Sequence, residues 1–175
     1  MAREADADAV VVGTPRLDLR PLALGDLDDL ARLFADAQAM RHQCRVGDRE
    51  DARRAIECSR RCFNEHGFGQ LAVLERETGA FVGKCGFTSR IVEGHREFIL
   101  SHLIDPAFEP RDYDREAFEA MLRHAFDELD FMRIVTLIKP GSRRLIRMVE
   151  QLGMESEREV SWEGQKFRLY VAHNW

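Results

Sequence analysis

Several side chains in this 175-residue chain are of types that move protons. Glu97 stands near the start of the apolar run 96–104, and His102 stands near its end. An imidazole titrates close to neutral pH, so His102 is either a proton carrier or a histidine satisfied within a core. Tyr170 lies in the last apolar run, where it either donates a proton or fills a core. Ser142 follows Pro140-Gly141 and precedes a helical stretch, so its hydroxyl either serves chemistry or caps that helix. Cys58, Cys62 and His66 recur at i, i+4 and i+8, with His42 and Cys44 upstream. That spacing matches no zinc signature, and small thiols packing a helix account for it, so no metal is expected.

The elements that position these groups can be read in order. Arg16-Leu17-Asp18-Leu19-Arg20 alternates polar and apolar as a half-buried strand does, and Pro21 ends it. Leu27, Leu30, Leu33 and Phe34 form a helical stripe. A second helix is predicted from the cap Asp48 to Gly67. Strands 70–74 and 80–83 flank the turn Glu77-Thr78-Gly79. A central strand over 96–104 stops at Asp105-Pro106, and a helix over 114–129 buries Phe118, Leu122 and Phe126. Residues 134–138 read as a buried strand holding Val135 and Leu137. A helix over 142–152 carries Ile146, and a hairpin over 155–162 and 165–172 closes the chain. The sum is an α/β chain: a mixed sheet of about seven strands with about four helices. Its one strand–helix–strand crossover should be right-handed, with its two strands parallel. Ligands of open α/β sheets bind at strand carboxyl ends, so the end of strand 96–104 is the first place to look.

Composition narrows the function. The formal charge of −5 argues against nucleic acid as a partner. No apolar run approaches the ~20 residues of a membrane helix, and residues 1–13 read as an acidic tail without a signal pattern. The expectation is a cytoplasmic protein with reduced thiols and one domain over 14–175. The apolar terminal hairpin suggests a homodimer.

Six stretches in order carry a family likeness over about 14–170. They are TPRLDLRP (14–21), the hairpin GFGQLAVLERETGAFVGKCGF (67–87), HLIDPAF (102–108), HAFDELDFMRIVTLIKP (124–140), IRMVEQLGM (146–154) and the Tyr113, Glu116, Ala117 triplet. Together they resemble the GNAT acyltransferase superfamily, in the branch of the ribosomal-protein N-terminal acetyltransferases. The resemblance implies acetyl-CoA as co-substrate and an amine-bearing small molecule or a protein N-terminus as acceptor. It implies that the pantetheine arm lies between splayed strands 96–104 and 133–138, with backbone near Leu103 and Ile104 polarising the thioester. It puts the pyrophosphate on the N-terminus of the 114–129 helix, among Arg111, Asp112, Tyr113, Asp114 and Arg115, with Arg147 nearby. Glu97 is then the first candidate base, on the acceptor side, and Ser142 stands at the family's Asn; Tyr170, on the last strand, either donates a proton to the thiolate or shapes the acceptor pocket.

The phosphate loop departs from the branch pattern W-G-x-G-Y-A-x-E-A. Here the sequence is Glu109-Pro110-Arg111-Asp112-Tyr113-Asp114-Arg115-Glu116-Ala117. Pro110 lacks an N–H, Asp112 replaces a permissive glycine, and three carboxylates face a dianion. Two expectations follow: an N-acetyltransferase with weak acetyl-CoA binding, or a binding or structural protein that keeps the fold without tight acetyl-CoA binding.

Overall fold

The computed structural model describes residues 8–174, so most of the acidic tail, residues 1–7, lies outside the described residues. Eight strands form one sheet: β1 (Val12–Gly13), β2 (Leu17–Pro21), β3 (Gln70–Glu75), β4 (Phe81–Val92), β5 (His95–Ile104), β6 (Arg133–Ile138), β7 (Glu155–Trp162) and β8 (Gln165–His173). Their spatial order is β1-β2-β3-β4-β5-β6-β8-β7. Every neighbouring pair is antiparallel except β5 and β6, the strands joined by the crossover. The helices are α1 (Leu27–Ala35), α2 (Arg49–His66), α3 (Tyr113–Asp127) and α4 (Arg143–Gln151).

Two strands differ from the sequence expectation. Val12–Gly13, read as the end of the tail, adds an eighth strand by pairing with Leu19 and Asp18. β4 runs to Val92 rather than stopping at Gly83. Gly83 does not end the strand; it lets β5 approach, because a Cβ there would overlap the Leu103 carbonyl oxygen. The true turn is Glu93-Gly94, with φ of 47° and 85°, the positive pair that a two-residue hairpin turn demands.

Strand parity sorts the side chains onto two faces. Leu100, Ile104, Ile134, Ile138 and Tyr170 pack under α3 and α4, whose Phe118, Met121, Leu145 and Val149 are buried against them. On the other face, Ala72 and Leu103 pack under α1 and α2 with Leu30, Leu33 and Ile56. Farther along that same face, Val92, Ile99, Val135, Phe167 and Leu169 form a cluster with the terminal hairpin. Of the predicted core residues, Phe118, Leu122 and Val135 are buried, while Phe126, Leu137 and Ile146 are partly buried at its edge. Truncating Phe118 to Ala would cost about 3–5 kcal/mol.

Candidate active site

β5 and β6 pair only at Ile99↔Val135 and separate beyond it, toward their carboxyl ends. Strand hydrogen bonding alternates sides, and the Asp105 N–H donates to the Val82 carbonyl of β4. The backbone groups of His102 and Ile104 therefore face away from β4, into the opening. A cavity of about 190 Å³ fills this gap and reaches both faces of the sheet. On the α3–α4 face it is lined by His102, Ile104, Asp114, Thr136, Arg144 and Val149. On the other face it is lined by Thr88, Arg90, Ser101, Leu137, Trp162 and Phe167. A slot through a sheet lets two reactants meet from opposite sides.

Residues 39–45, between α1 and α2, cross the open end as a strap. Arg41 pairs with Glu109 at 2.5 Å, and Lys139 Nζ donates to the Gln43 carbonyl at 2.5 Å. Gln165 Nε2 donates to the Cys44 carbonyl at 2.7 Å. Gln43 Nε2 makes a long 3.5 Å contact with the His102 carbonyl, inside the slot. His42 Nδ1 lies 2.9 Å from Ser142 Oγ, joining the strap to the start of α4. Burial, then the charge of Arg41, lowers the His42 pKa from its ordinary 6.5, so the ring is neutral near pH 7. His102 is driven to about 4 by burial, and its ring meets Phe118 edge-on at 5.7 Å.

At the N-terminus of α3, Asp112 takes the left-handed conformation (φ 56°) that a glycine would adopt without strain. Its side chain does not cap the helix; it accepts from Arg144 Nη2 at 2.7 Å. The same guanidinium holds both oxygens of the buried Asp114. Burial raises the Asp114 carboxyl, but the Arg144 hydrogen bond and the facing His102 and Arg144 charges leave it below its ordinary value.

The acetyltransferase (GNAT) domain family matches residues 16–155. The chain belongs to this family. The Bacillus subtilis protein YkkB is 29% identical over 160 residues, covering 90% of this chain and 92% of YkkB. An acetyltransferase from Agrobacterium tumefaciens shares the fold with a TM-score of 0.81 at 23% identity, over 98% of this chain and 99% of its own. The Vibrio cholerae spermidine N-acetyltransferase, solved with CoA and spermine, has a TM-score of 0.74 at 15% identity, covering 92% and 97%.

Within this GNAT fold the residues singled out from sequence divide. Leu103, Ile104 and Asp114 line the slot. The backbone facing it belongs to His102 and Ile104, since Leu103 is turned toward β4. Ser142 touches the cavity-lining His42 and makes no capping bond. Glu97 is on the same sheet face as Arg90 and Ser101 but does not line the slot; Arg133 holds its two oxygens, each at 3.2 Å. Arg111 pairs with Glu75, which also accepts from the buried Tyr113 hydroxyl at 2.7 Å, so both point away from the slot. Arg115 donates to Gln151 at 2.6 Å, and Arg147 is exposed on α4. Tyr170 is buried in the α3–α4 core and does not line the cavity. Cys58, taken from sequence as a packing thiol, is exposed. The cavity residues sequence reasoning passed over are Arg144, Lys139, Gln43 and the His42 contact; His42 with Ser142 and Lys139 with Gln43 join positions about a hundred residues apart, and Arg144 reaches Asp114 across 30.

Proposed function

We propose that this GNAT-family chain transfers an acetyl group from acetyl-CoA to the primary amine of a small molecule or a protein N-terminus. The observation that carries the reading is the slot between β5 and β6, with the backbone of His102 and Ile104 directed into it. Those groups can pair with a pantetheine amide, and an N–H there can polarise an acyl carbonyl. Bound acetyl-CoA supplies the activated acyl carbon: the amine nitrogen forms the new C–N bond as the C–S bond breaks. The strap and hairpin confine the amine on one face of the slot. Neutral His42, oriented by Ser142, takes the proton the amine loses, and solvent or that imidazole returns one to the departing sulfur. Ser142 is thus a positioning residue here, and Glu97 and Tyr170 serve structure rather than chemistry.

A second reading, a binding protein with poor affinity for acetyl-CoA, is favoured by one observation. Asp112 and Asp114 put two carboxylates, clamped by Arg144, at the helix end where an anion would sit. Calorimetric titration with acetyl-CoA and CoA, paired with a thiol-release assay over an amine panel, separates the two. Saturable binding with amine-dependent thiol release supports the transferase. Absence of both would leave the binding-protein reading.

A further inference from the structure

The acceptor face of the slot carries a cation, Arg90, that forms no ion pair among the described residues. Arg90, on β4, lines the cavity and is exposed, and among the described residues no carboxylate lies within ion-pair distance of it. Its direct cross-strand partner is Glu97, whose carboxylate is engaged by Arg133. The cavity is lined by four fixed cations, Arg41, Arg90, Lys139 and Arg144, against two carboxylates, Glu109 and Asp114. Both carboxylates are matched, Glu109 by Arg41 and Asp114 by Arg144. Among the described residues the Lys139 ammonium is bound to backbone carbonyls of the strap. Glu163, the nearest acidic residue of the hairpin turn, is turned to the Cys44 thiol and does not line the cavity. With those pairs cancelled, Arg90 and Lys139 leave the cavity net positive in a chain of formal charge −5.

We propose that Arg90 anchors an anionic group on the acceptor, so that the substrate is a small amine that also carries a carboxylate or phosphate, not a polyamine. The inference rests on the transferase reading above. A polyamine needs unpaired carboxylates, and among the described residues none lines this cavity. Arginine's planar fork suits a carboxylate or phosphate bidentately. Trp162, Phe167 and Leu137 give the chamber an apolar wall for the carbon chain between the two ends. Glu97, opposite Arg90, stands five residues before His102, or about 16 Å along the strand. The open backbone begins at His102, so amine and anion are separated by a short chain rather than one carbon.

The test uses the full chain and three probe sets: amino acids with amines at increasing distance from the carboxylate, phosphoethanolamine, and spermidine with a neutral monoamine. Thiol release is expected with the anionic amines, and the better of carboxylate or phosphate identifies the group recognised. Arg90→Ala should lower kcat/KM for anionic amines at least tenfold through KM. Arg90→Glu should shift preference toward spermidine. Preference for spermidine in the unaltered protein, or an unchanged KM in Arg90→Ala, overturns the proposal while leaving the transferase reading intact. Direct calorimetric binding of the anionic amines, without acetyl-CoA, keeps the proposal testable if no turnover occurs. Equal binding by the unaltered protein and Arg90→Ala, or no binding by either, overturns it.

Discussion

In the proposed transferase, His42 takes its role from a single contact. Its ring lines the slot with Nδ1 2.9 Å from Ser142 Oγ, and the tautomer in which Nδ1–H donates to Ser142 leaves Nε2 to take the acceptor's proton. A base acts in its neutral form, so protonation on acidification removes it. Because burial and Arg41 lower its pKa, the acid limb of kcat/KM should lie below pH 6.5 rather than at it. His42→Gln should reduce kcat by about a hundredfold or more and abolish that limb. Ser142→Ala should keep most activity and move the limb, since it removes only the orienting partner. A profile of His42→Gln that keeps the same acid limb would show that another group takes the proton. Nothing in the sequence flags this pair, because its partners are a hundred residues apart and each alone reads as a loop residue or a helix cap.

At the scale of elements, the helices were legible because their signals are local. Asp48 caps α2 by accepting from the Asp51 N–H at 2.8 Å, and Gly67 closes it in the left-handed conformation, φ 77°. β4 was under-read because Lys84, Ser89 and Arg90 interrupt its apolar pattern, and its glycines look like breaks. The splay between β5 and β6 was expected, yet which backbone faces it depends on hydrogen-bond parity, which shifted the assignment from Leu103 to His102. The loop before α3 is the sharpest case. Its carboxylates were read from sequence as repelling a phosphate, but their clamp, Arg144, lies on another helix. The clamp adds a second reason to expect weak binding: Arg144, at the helix end, is already engaged by two carboxylates. Replacing Pro110 and Asp112 by Gly and Asp114 by Ala should free Arg144 and the helix N–H groups together. Acetyl-CoA should then bind at least tenfold more tightly, about 1.4 kcal/mol by calorimetry. Low-micromolar binding by the unaltered chain, or no gain in the variant, would refute the clamp argument.

Over the whole molecule, arginine is what makes an acidic α/β fold tenable. Among the described residues the five buried acids each have one: Asp26 with Arg20 at 2.8 Å, Asp105 with Arg32 at 2.7 Å, Glu97 with Arg133 at 3.2 Å, Glu75 with Arg111, and Asp114 with Arg144. The apolar residues of the terminal hairpin, from which a dimer was expected, are largely spent inside the chain, since Phe167, Leu169 and Val171 are buried in its own cluster. These arrangements give stability a pH dependence in two separable windows. Glu75 and Asp114 have lowered pKa values, so the stability they add is present above the ordinary carboxylate pKa and is lost as pH falls below about 4. His102 acts earlier. It is neutral in the fold down to about pH 4, whereas in the unfolded chain it takes a proton near 6.5. Between those values the unfolded state binds more protons, so stability falls as pH drops from 6.5 toward 4. His42 and His124 are also lowered by burial and add to the same window. The melting temperature of the unaltered protein should therefore decline from pH 7 to 4.5, and that of His102→Gln should decline less steeply, without becoming flat. Parallel melting curves for the two proteins across that range would mean that His102 is as easily protonated in the fold as out of it. The slot beside Phe118 would then be wetter than its packing implies.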